Sequence, residues 1–323
     1  MLSPTEKISV ILCTYNSGSY LQSQLDSICN QTYSNLEIII SDDASSDQSI
    51  HLLKDYQKRD SRITVYQNEK NLGYVQNFSK TIALATGAYI ALADQDDIWE
   101  LHKLEIFANE IKNHTLIYSD AHRIDAHGNN LGYQLVRPRH NLVSGHCSLA
   151  FLLSNCVSGN TLMFKRELLQ YILPIPDIQF HDVWIAFVAS SIGEIAYTNE
   201  PMTYYREHNK QVTNITKGFR YVVSTFARKK QKWQKQTSDN VRLLNSFLEF
   251  SLKINNENNI RLLKELIYHY QNYNRIFINY ALREMLIKNA DAVFASAPKH
   301  KRLQYAKRAS VGLVYHRLFL YLK

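Results

Sequence analysis

At 323 residues the chain is long enough for about two domains, on a prior of ~150 residues per domain. Apolar residues make up 45% and charged residues 20%, which are ordinary globular values and exclude a disordered or fibrous chain. The net charge of +8 is unevenly spread: residues 1–215 carry 16 Lys and Arg against 23 Asp and Glu, whereas residues 216–323 carry 21 against 6. An acidic part is thus joined to a basic one, and a polyanion or an anionic membrane surface is the expected partner of the basic part.

No stretch reaches the ~18–20 uninterrupted apolar residues of a membrane-spanning helix. The start, MLSPTEK followed by ISVILC, lacks the charged segment, long apolar centre and cleavage site of a secretion signal. Cys13, Cys29, Cys147 and Cys156 form no CxxC pair, so neither a disulfide framework nor a zinc knuckle is indicated. These features predict a cytoplasmic chain with reduced thiols.

The first strand is the apolar, β-branched run Ile8–Cys13, which gives way to polar Thr14-Tyr15-Asn16-Ser17-Gly18-Ser19. Leu21, Leu25 and Ile28 then recur at helical spacing. A second strand, Leu36–Ile40, ends in Ser41-Asp42-Asp43-Ala44-Ser45-Ser46-Asp47, ahead of a helix carrying Ile50, Leu53 and Tyr56. Ile63–Tyr66 reads as a strand, Tyr74–Ala85 as a helix and Ala88–Ala93 as the fourth strand. Apolar strands alternating with helices predict an α/β fold with a mostly parallel sheet flanked by helices. In such sheets the ligand crevice lies beyond the C-terminal strand ends, where three polar clusters fall. Thr161–Phe164, Ile195–Thr198 and Met202–Tyr205 are further strand-like runs, with Val183–Ser190 helical. After Ile215 only Gly218, Pro298 and Gly312 interrupt a helical pattern.

Neither GxG nor GxxxxGK occurs, which argues against nicotinamide chemistry and P-loop hydrolysis. Asp94-Gln95-Asp96-Asp97 offers another way to meet a nucleotide's phosphates. Crowded carboxylates at a strand end repel one another, and a hard divalent cation such as Mg²⁺ or Mn²⁺ relieves that repulsion. Asp94 and Asp96 project to one side of an extended segment, so one can hold metal and the other a ribose hydroxyl. Asp43 suits a base N–H or ribose hydroxyl, while Asp47 suits capping of the following helix.

With SVILCTYN at 9–16, SQLDSICNQTYSNLEIIISDDASSD at 23–47, NLGYVQN at 71–77, ATGAYIALADQDDIW at 85–99, and the later HDVW and YREH segments, the chain resembles the family 2 glycosyltransferases. These are inverting enzymes of GT-A fold that use nucleotide sugars. The likeness covers about residues 7–210, and ADQDDIW with HDVWIAFVASSIGEIAY is most similar to a bacterial rhamnosyltransferase-like branch. It implies that Thr14, Tyr15, Asn16 and Asp43 contact the nucleoside, that Asn71 and Gly73 shape the sugar-nucleotide loop, and that Asp94 lies near the ribose. It also implies that Asp96 binds the metal with Asp94 beside it, that His208 completes the metal site or approaches the diphosphate, and that Gly159 lies below the donor sugar.

The family's catalytic base stands in an acidic pair at a helix start. Here the pair reads His181-Asp182, which makes Asp182 the base and leaves His181 to tune it or to meet the acceptor. The resemblance implies a transferase domain over 1–215, and the charge pattern makes 216–323 a basic helical region that either meets a membrane surface or the acceptor or packs as a bundle with a basic outer face. The donor is dTDP-L-rhamnose or a UDP-hexose, and the acceptor a bacterial surface glycan on a lipid carrier. The enzyme would then be peripheral on the inner face of the cytoplasmic membrane. No nucleic-acid-binding module is present. Two other readings stay open from the residues: a nucleotidyltransferase of sugar phosphates, and a catalytically silent glycan-binding relative.

Overall fold

The computed structural model describes residues 6–136, 141–176, 178, 180–209, 226–271 and 279–310, with the side chains of 226–237 outside that description. Strand β1 (Ile8–Thr14) is buried along its whole length, as an apolar run covered on both faces must be. It is followed by α1 (Leu21–Cys29), β2 (Leu36–Asp42), α2 (Ser49–Arg59), β3 (Ile63–Gln67), α3 (Tyr74–Ile82) and β4 (Tyr89–Ala93). This is the alternation the sequence predicts. The three apolar positions of α1, Leu21, Leu25 and Ile28, are all fully buried against the sheet.

The next segment is built of shorter pieces: β5 (Ile98–Trp99), α4 (Lys103–Glu110), β6 (Leu116–Tyr118), β7 (His122–Ile124) and β8 (Asn130–Gln134). Then come β9 (Leu162–Lys165), α5 (Leu169–Ile172), α6 (His181–Ile192), β10 (Ile195–Tyr197) and β11 (Thr203–Arg206). Seven strands make the central sheet, in the order β10-β6-β9-β4-β1-β2-β3. Pairing is parallel except at β9, which runs antiparallel to both β4 and β6. A second sheet of four strands has the order β5-β11-β7-β8.

The chain lays β2 and β3 on one side of β1 and then returns to place β4 on the other. This reversal opens a crevice beyond the C-terminal ends of β1 and β4. The register sets Leu12 beside Ala93 and Thr14 beside Asp42. Thr14-Tyr15-Asn16, Asp42-Asp43 and Asp94–Asp97 therefore emerge side by side at one edge of the sheet.

The opposite edge is closed by a tight approach. Ser9 and Glu37 receive the chain as it enters β4, and the Gly87 N–H donates to Ser9 Oγ at 2.9 Å and to Glu37 at 3.1 Å. A Cβ on Gly87 would lie 2.6 Å from the Lys7 carbonyl and 2.8 Å from the Ser9 nitrogen, both backbone atoms that cannot swing away.

By its internal contacts the chain divides into one unit of residues 1–148 and 155–207 and another of 149–154 and 208–323. The second unit contains α7 (Phe226–Lys253), α8 (Glu257–Gln271), α9 (Tyr280–Lys288), α10 (Ala290–Val293) and α11 (Arg302–Ala309). Leu244, Phe247, Leu263, Leu266, Leu282 and Leu286 form its apolar interior. Asn279 caps α9 by accepting from the Leu282 N–H at 3.0 Å. Among the described residues no helix is long and apolar enough to cross a membrane.

Replacement of Gly87 by Ala is expected to destabilise the first unit by about 1–3 kcal/mol, the cost of overpacking against rigid atoms. Thermal unfolding of G87A beside the unsubstituted chain checks this, and an unchanged midpoint would contradict it.

Candidate active site

The ends of β1 and β2 are locked together by short polar side chains. Thr14 Oγ1 donates to Asp42 Oδ1 at 3.0 Å, and Asp42 also accepts from the Ser45 N–H at 2.9 Å. Asn16 adopts a left-handed backbone, with φ of 47°, a conformation asparagine tolerates better than most residues. Its N–H donates to Ser45 Oγ and its Oδ1 accepts from the Ser46 N–H, both at 2.9 Å. Asp47 accepts from the N–H groups of Gly18 and Ser49, at 3.1 and 3.0 Å. Tyr15 is exposed.

Asp43 is buried, and its carboxylate organises the loop before α3. It accepts from Asn68 Nδ2 at 2.8 Å and from the N–H groups of Leu72 and Gly73 at 2.9 Å each. Asn71 Oδ1 accepts from the same Gly73 N–H at 3.0 Å. Asp43, Asn71 and Gly73, singled out separately in the sequence, are thus one hydrogen-bonded group.

Gln95 joins β1 to β4 across the topological switch. Its Oε1 accepts from the Tyr15 N–H at 2.7 Å, and its Nε2 donates to the Tyr15 carbonyl at 3.2 Å. Beside it, Asp94 is half-buried, and burial followed by the charges of Asp96 and Asp182 pushes its carboxyl up to about 7. Lys103 pulls the other way. Such crowding fits a hard divalent cation, which takes one or two carboxylates together with substrate phosphates. Among the described residues no three His, Cys, Asp or Glu side chains form a complete metal cage.

Asp97, the last acid of the cluster, faces inward. It is buried and accepts from the Arg206 N–H at 2.9 Å and from Asn160 Nδ2. Burial and the charges of Asp96 and Asp94 hold its carboxyl well above the usual range. Lys103 is fully buried beneath the cluster, with Nζ donating to the Asn160 carbonyl at 2.6 Å and to Thr203 Oγ1 at 3.1 Å. The same Nζ sits 3.7 Å from the centre of the Trp99 ring. Burial lowers its pKa well below that of an ordinary lysine, against the pull of Asp97 and Asp94. Arg206 completes the scaffold: Nε donates to the Asp96 carbonyl at 2.7 Å, and the guanidinium lies 5.0 Å from the Tyr20 ring centre.

Asp182 stands in the first turn of α6, where its Oδ1 accepts from the Val183 N–H at 2.7 Å. Burial pushes its carboxyl up to about 6, against the backbone N–H groups of Val183, Asp182 and Gly159 and the Asn155 side chain, which pull it down. His181, only 6% exposed, stacks on Phe78 with ring centroids 4.3 Å apart. Burial lowers it to about 4, so the ring is neutral at physiological pH. Gly159 lies against it: a Cβ there would come within 2.8 Å of His181 Nε2. Gly159 therefore belongs with the His181-Asp182 pair through both contact and hydrogen bonding. His208 opens the second unit and is half-buried.

Gln95, Lys103, Arg206 and Tyr74 have no role in the sequence reading. Arg206 and Tyr74 lie inside the quoted YREH and NLGYVQN strings, yet nothing local marks them. Lys103 in particular carries no local mark of burial, and only its placement near the acids reveals it. The side chains of the basic-aromatic cluster Lys229, Lys230, Lys232, Trp233 and Lys235 lie outside the description, as do Val311, Leu313, Tyr315, Arg317, Leu318 and Leu320 altogether.

The chain is similar to known glycosyltransferases. The chain is 28% identical over 212 residues to an uncharacterised glycosyltransferase of Nostoc, covering 62% of this chain and, at 65%, under two thirds of that relative's length. It is 29% identical to a putative teichuronic acid biosynthesis glycosyltransferase, TuaG, of Bacillus subtilis, covering 64% of this chain and 81% of the relative. An Escherichia coli UDP-Glc:alpha-D-GlcNAc-diphosphoundecaprenol beta-1,3-glucosyltransferase, WfgD, is 26% identical over 56% of this chain and 69% of its own. Among solved structures, S. aureus TarS 1–349 in complex with UDP-GlcNAc superposes with a TM-score of 0.58 at 18% identity, covering 94% of this chain and 88% of that one. The mannosyltransferase PcManGT of Pyrobaculum calidifontis, in complex with GDP-Man and Mn²⁺, gives 0.52 at 18% identity over 98% and 80%. These two likenesses show a shared fold. The model of the family described as glycosyl transferase family 2 matches residues 9–172, half of the chain, and the chain belongs to that family.

Proposed function

We propose that this chain transfers a sugar, with inversion, from a nucleotide sugar to a hydroxyl of a bacterial surface glycan. The observation that carries the reading is the nearness of Asp182, in the first turn of α6, to the acidic end of β4, close enough for its charge to raise the Asp94 carboxyl. A base on one side and a phosphate-handling acid cluster on the other is what an in-line displacement at a sugar carbon requires. Asp182 accepts the proton of the acceptor hydroxyl as its oxygen bonds to the anomeric carbon. The bond from that carbon to the diphosphate breaks, and the diphosphate leaves with the electron pair.

In this reading Thr14, Tyr15, Asn16 and Asp43 hold the nucleoside, with Asn71 and Gly73 in the loop that Asp43 organises. Asp94 lies by the ribose and Gly159 beneath the sugar. Asp96, with Asp94 beside it, would hold Mg²⁺ or Mn²⁺, and when bound the cation supplies positive charge to the diphosphate. The donor is dTDP-L-rhamnose or a UDP-hexose. The acceptor is a lipid-linked glycan, as the name of the E. coli relative states for that protein. The excess of 21 Lys and Arg over 6 Asp and Glu in 216–323 supports attraction to an anionic membrane surface on the cytoplasmic side. Lys299, Lys307 and Arg308 are exposed around the exposed Leu303, whereas Arg302 is engaged internally with the carbonyls of Ala295 and Ala297.

A panel of nucleotide sugars with Mn²⁺ or Mg²⁺, scored for turnover and for protection against thermal unfolding, tests the reading. If no nucleotide sugar is turned over or protects, the proposed activity is wrong. Asp182→Asn is expected to lower turnover by about 10²–10⁴-fold, the usual contribution of a general base, while protection by the donor persists. Because Asp182 must be ionised to accept a proton and titrates at about 6, kcat/KM is expected to be level above that pH and to fall below it. A profile without this acidic limb removes Asp182 as the base. Asp96→Asn is expected to abolish stimulation by Mn²⁺ and to weaken Mn²⁺ binding measured by calorimetry. Metal binding and turnover that survive the substitution would exclude Asp96 as a ligand.

A further inference from the structure

Tyr74 begins α3, immediately after Gly73, whose N–H is held by Asp43 at 2.9 Å. Its ring meets His181 edge-on, with centroids 6.1 Å apart and planes at 64°. His181 in turn lies flat on Phe78, one helical turn further along α3, at 4.3 Å and 24°. Gly159 backs the imidazole so closely that no Cβ fits there without displacing it. The Tyr74 ring thus rests on an imidazole that Phe78 and Gly159 hold in place.

The two polar groups of this stack behave differently. Both ring nitrogens of His181 are buried with no hydrogen-bond partner among the described residues, so the imidazole acts as an uncharged aromatic surface. Leaving buried polar atoms unmatched is unfavourable, and at His181 this cost falls next to the proposed base. The Tyr74 phenol is only half-buried, and among the described residues it too has no hydrogen-bond partner. Burial, then Asp182, then Asp94 push its pKa up to about 12, so the hydroxyl remains a neutral donor under the influence of both carboxylates. The space between Asp182 and Asp94 is where the sugar of a donor must lie if Asp182 serves the acceptor and Asp94 the nucleotide. A ring packed edge-on against His181, the neighbour of Asp182, and following the Gly73 that Asp43 holds, with one unused donor, suits an uncharged, hydroxyl-rich ligand, to which it offers an apolar face and a directional bond.

We propose that Tyr74 is a specificity-determining contact for the transferred sugar, its hydroxyl bonding a sugar oxygen while its ring packs against the sugar face. His181 is the positioning residue that holds it there. The proposal rests on the nucleotide-sugar reading above and adds the residue that senses which sugar is attached.

Sugar and nucleotide contributions separate experimentally. Binding of UDP and dTDP is measured by calorimetry beside UDP-glucose, UDP-N-acetylglucosamine and dTDP-rhamnose, for the unsubstituted chain and for Tyr74→Phe. The phenylalanine variant keeps the ring and removes the hydroxyl alone. It is expected to bind UDP and dTDP within about twofold of the unsubstituted chain but the preferred nucleotide sugar about tenfold more weakly, the scale of one lost hydrogen bond. Its kcat/KM is expected to fall more for that donor than for the others. If Y74F retains the full gain in affinity from the sugar and the same ranking of donors, Tyr74 is not a sugar contact and this proposal alone is overturned. If the unsubstituted chain binds no nucleotide sugar, the nucleotide-sugar reading fails and this proposal fails with it.

Discussion

Like-charge repulsion at the C-terminal end of β4 is the constraint around which the first unit is arranged. Asp94, Asp96 and Asp97 lie within four residues, and Asp182 acts on the same spot from α6. Two unit charges 4 Å apart interact by about 4 kcal/mol at an effective dielectric of 20, so several together are a serious cost. The chain meets part of that cost internally. Asp97 is turned inward to the Arg206 N–H and Asn160, and a buried lysine is placed beneath the group. Asp94 and Asp96 remain at the strand end, where burial and the neighbouring charges hold the Asp94 carboxyl up to about 7. A divalent ion held by these acids, as in the proposed function, would also offset the repulsion a diphosphate meets there.

The same crevice requires that groups from opposite sides of the switch point keep their spacing. Two devices do this. Gln95 grips both backbone groups of Tyr15, tying the loop after β1 to the acidic loop after β4. Helix α3 serves as a strut: Gly73 at its start is bound by Asp43, Asn77 Nδ2 donates to the Ser41 carbonyl at 3.0 Å, and Phe78 carries the His181 ring. The nucleoside end and the sugar end of the proposed site therefore rest on one short rigid helix. Sites held this way on regular elements keep their geometry better than sites built on loops alone.

How much of this was legible in the sequence depended on how far apart the partners lie. Strands β1 to β4 were readable because each is a continuous apolar run ending in polar residues. The helices of the second unit were readable from the scarcity of glycine and proline. Residues 98–134 were not, because β5, β6 and β7 have only two or three residues each and show no periodicity. In the site, acids clustered along the chain were visible as a cluster. Gln95, Lys103 and Arg206 were not, since each acts on residues 57 to 110 positions away. Nothing local says that residue 103 is buried.

The histidine at 181 shows how one departure from an acidic pair changes the chemistry of its neighbour. Asp182 already titrates at about 6 because burial outweighs the N–H groups that hold it. A carboxylate at 181, desolvated to the same degree as the imidazole is, would add a like charge at the adjoining residue and push Asp182 higher still. Less of it would then be ionised at neutral pH, and a base that is protonated cannot accept. The imidazole avoids this because burial has lowered it to about 4 and left it without charge. It fills the position by stacking on Phe78 instead of by ion pairing, and Gly159 provides the room. A neutral ring beside the proposed base, rather than a second acid, leaves Asp182 mostly ionised near pH 7.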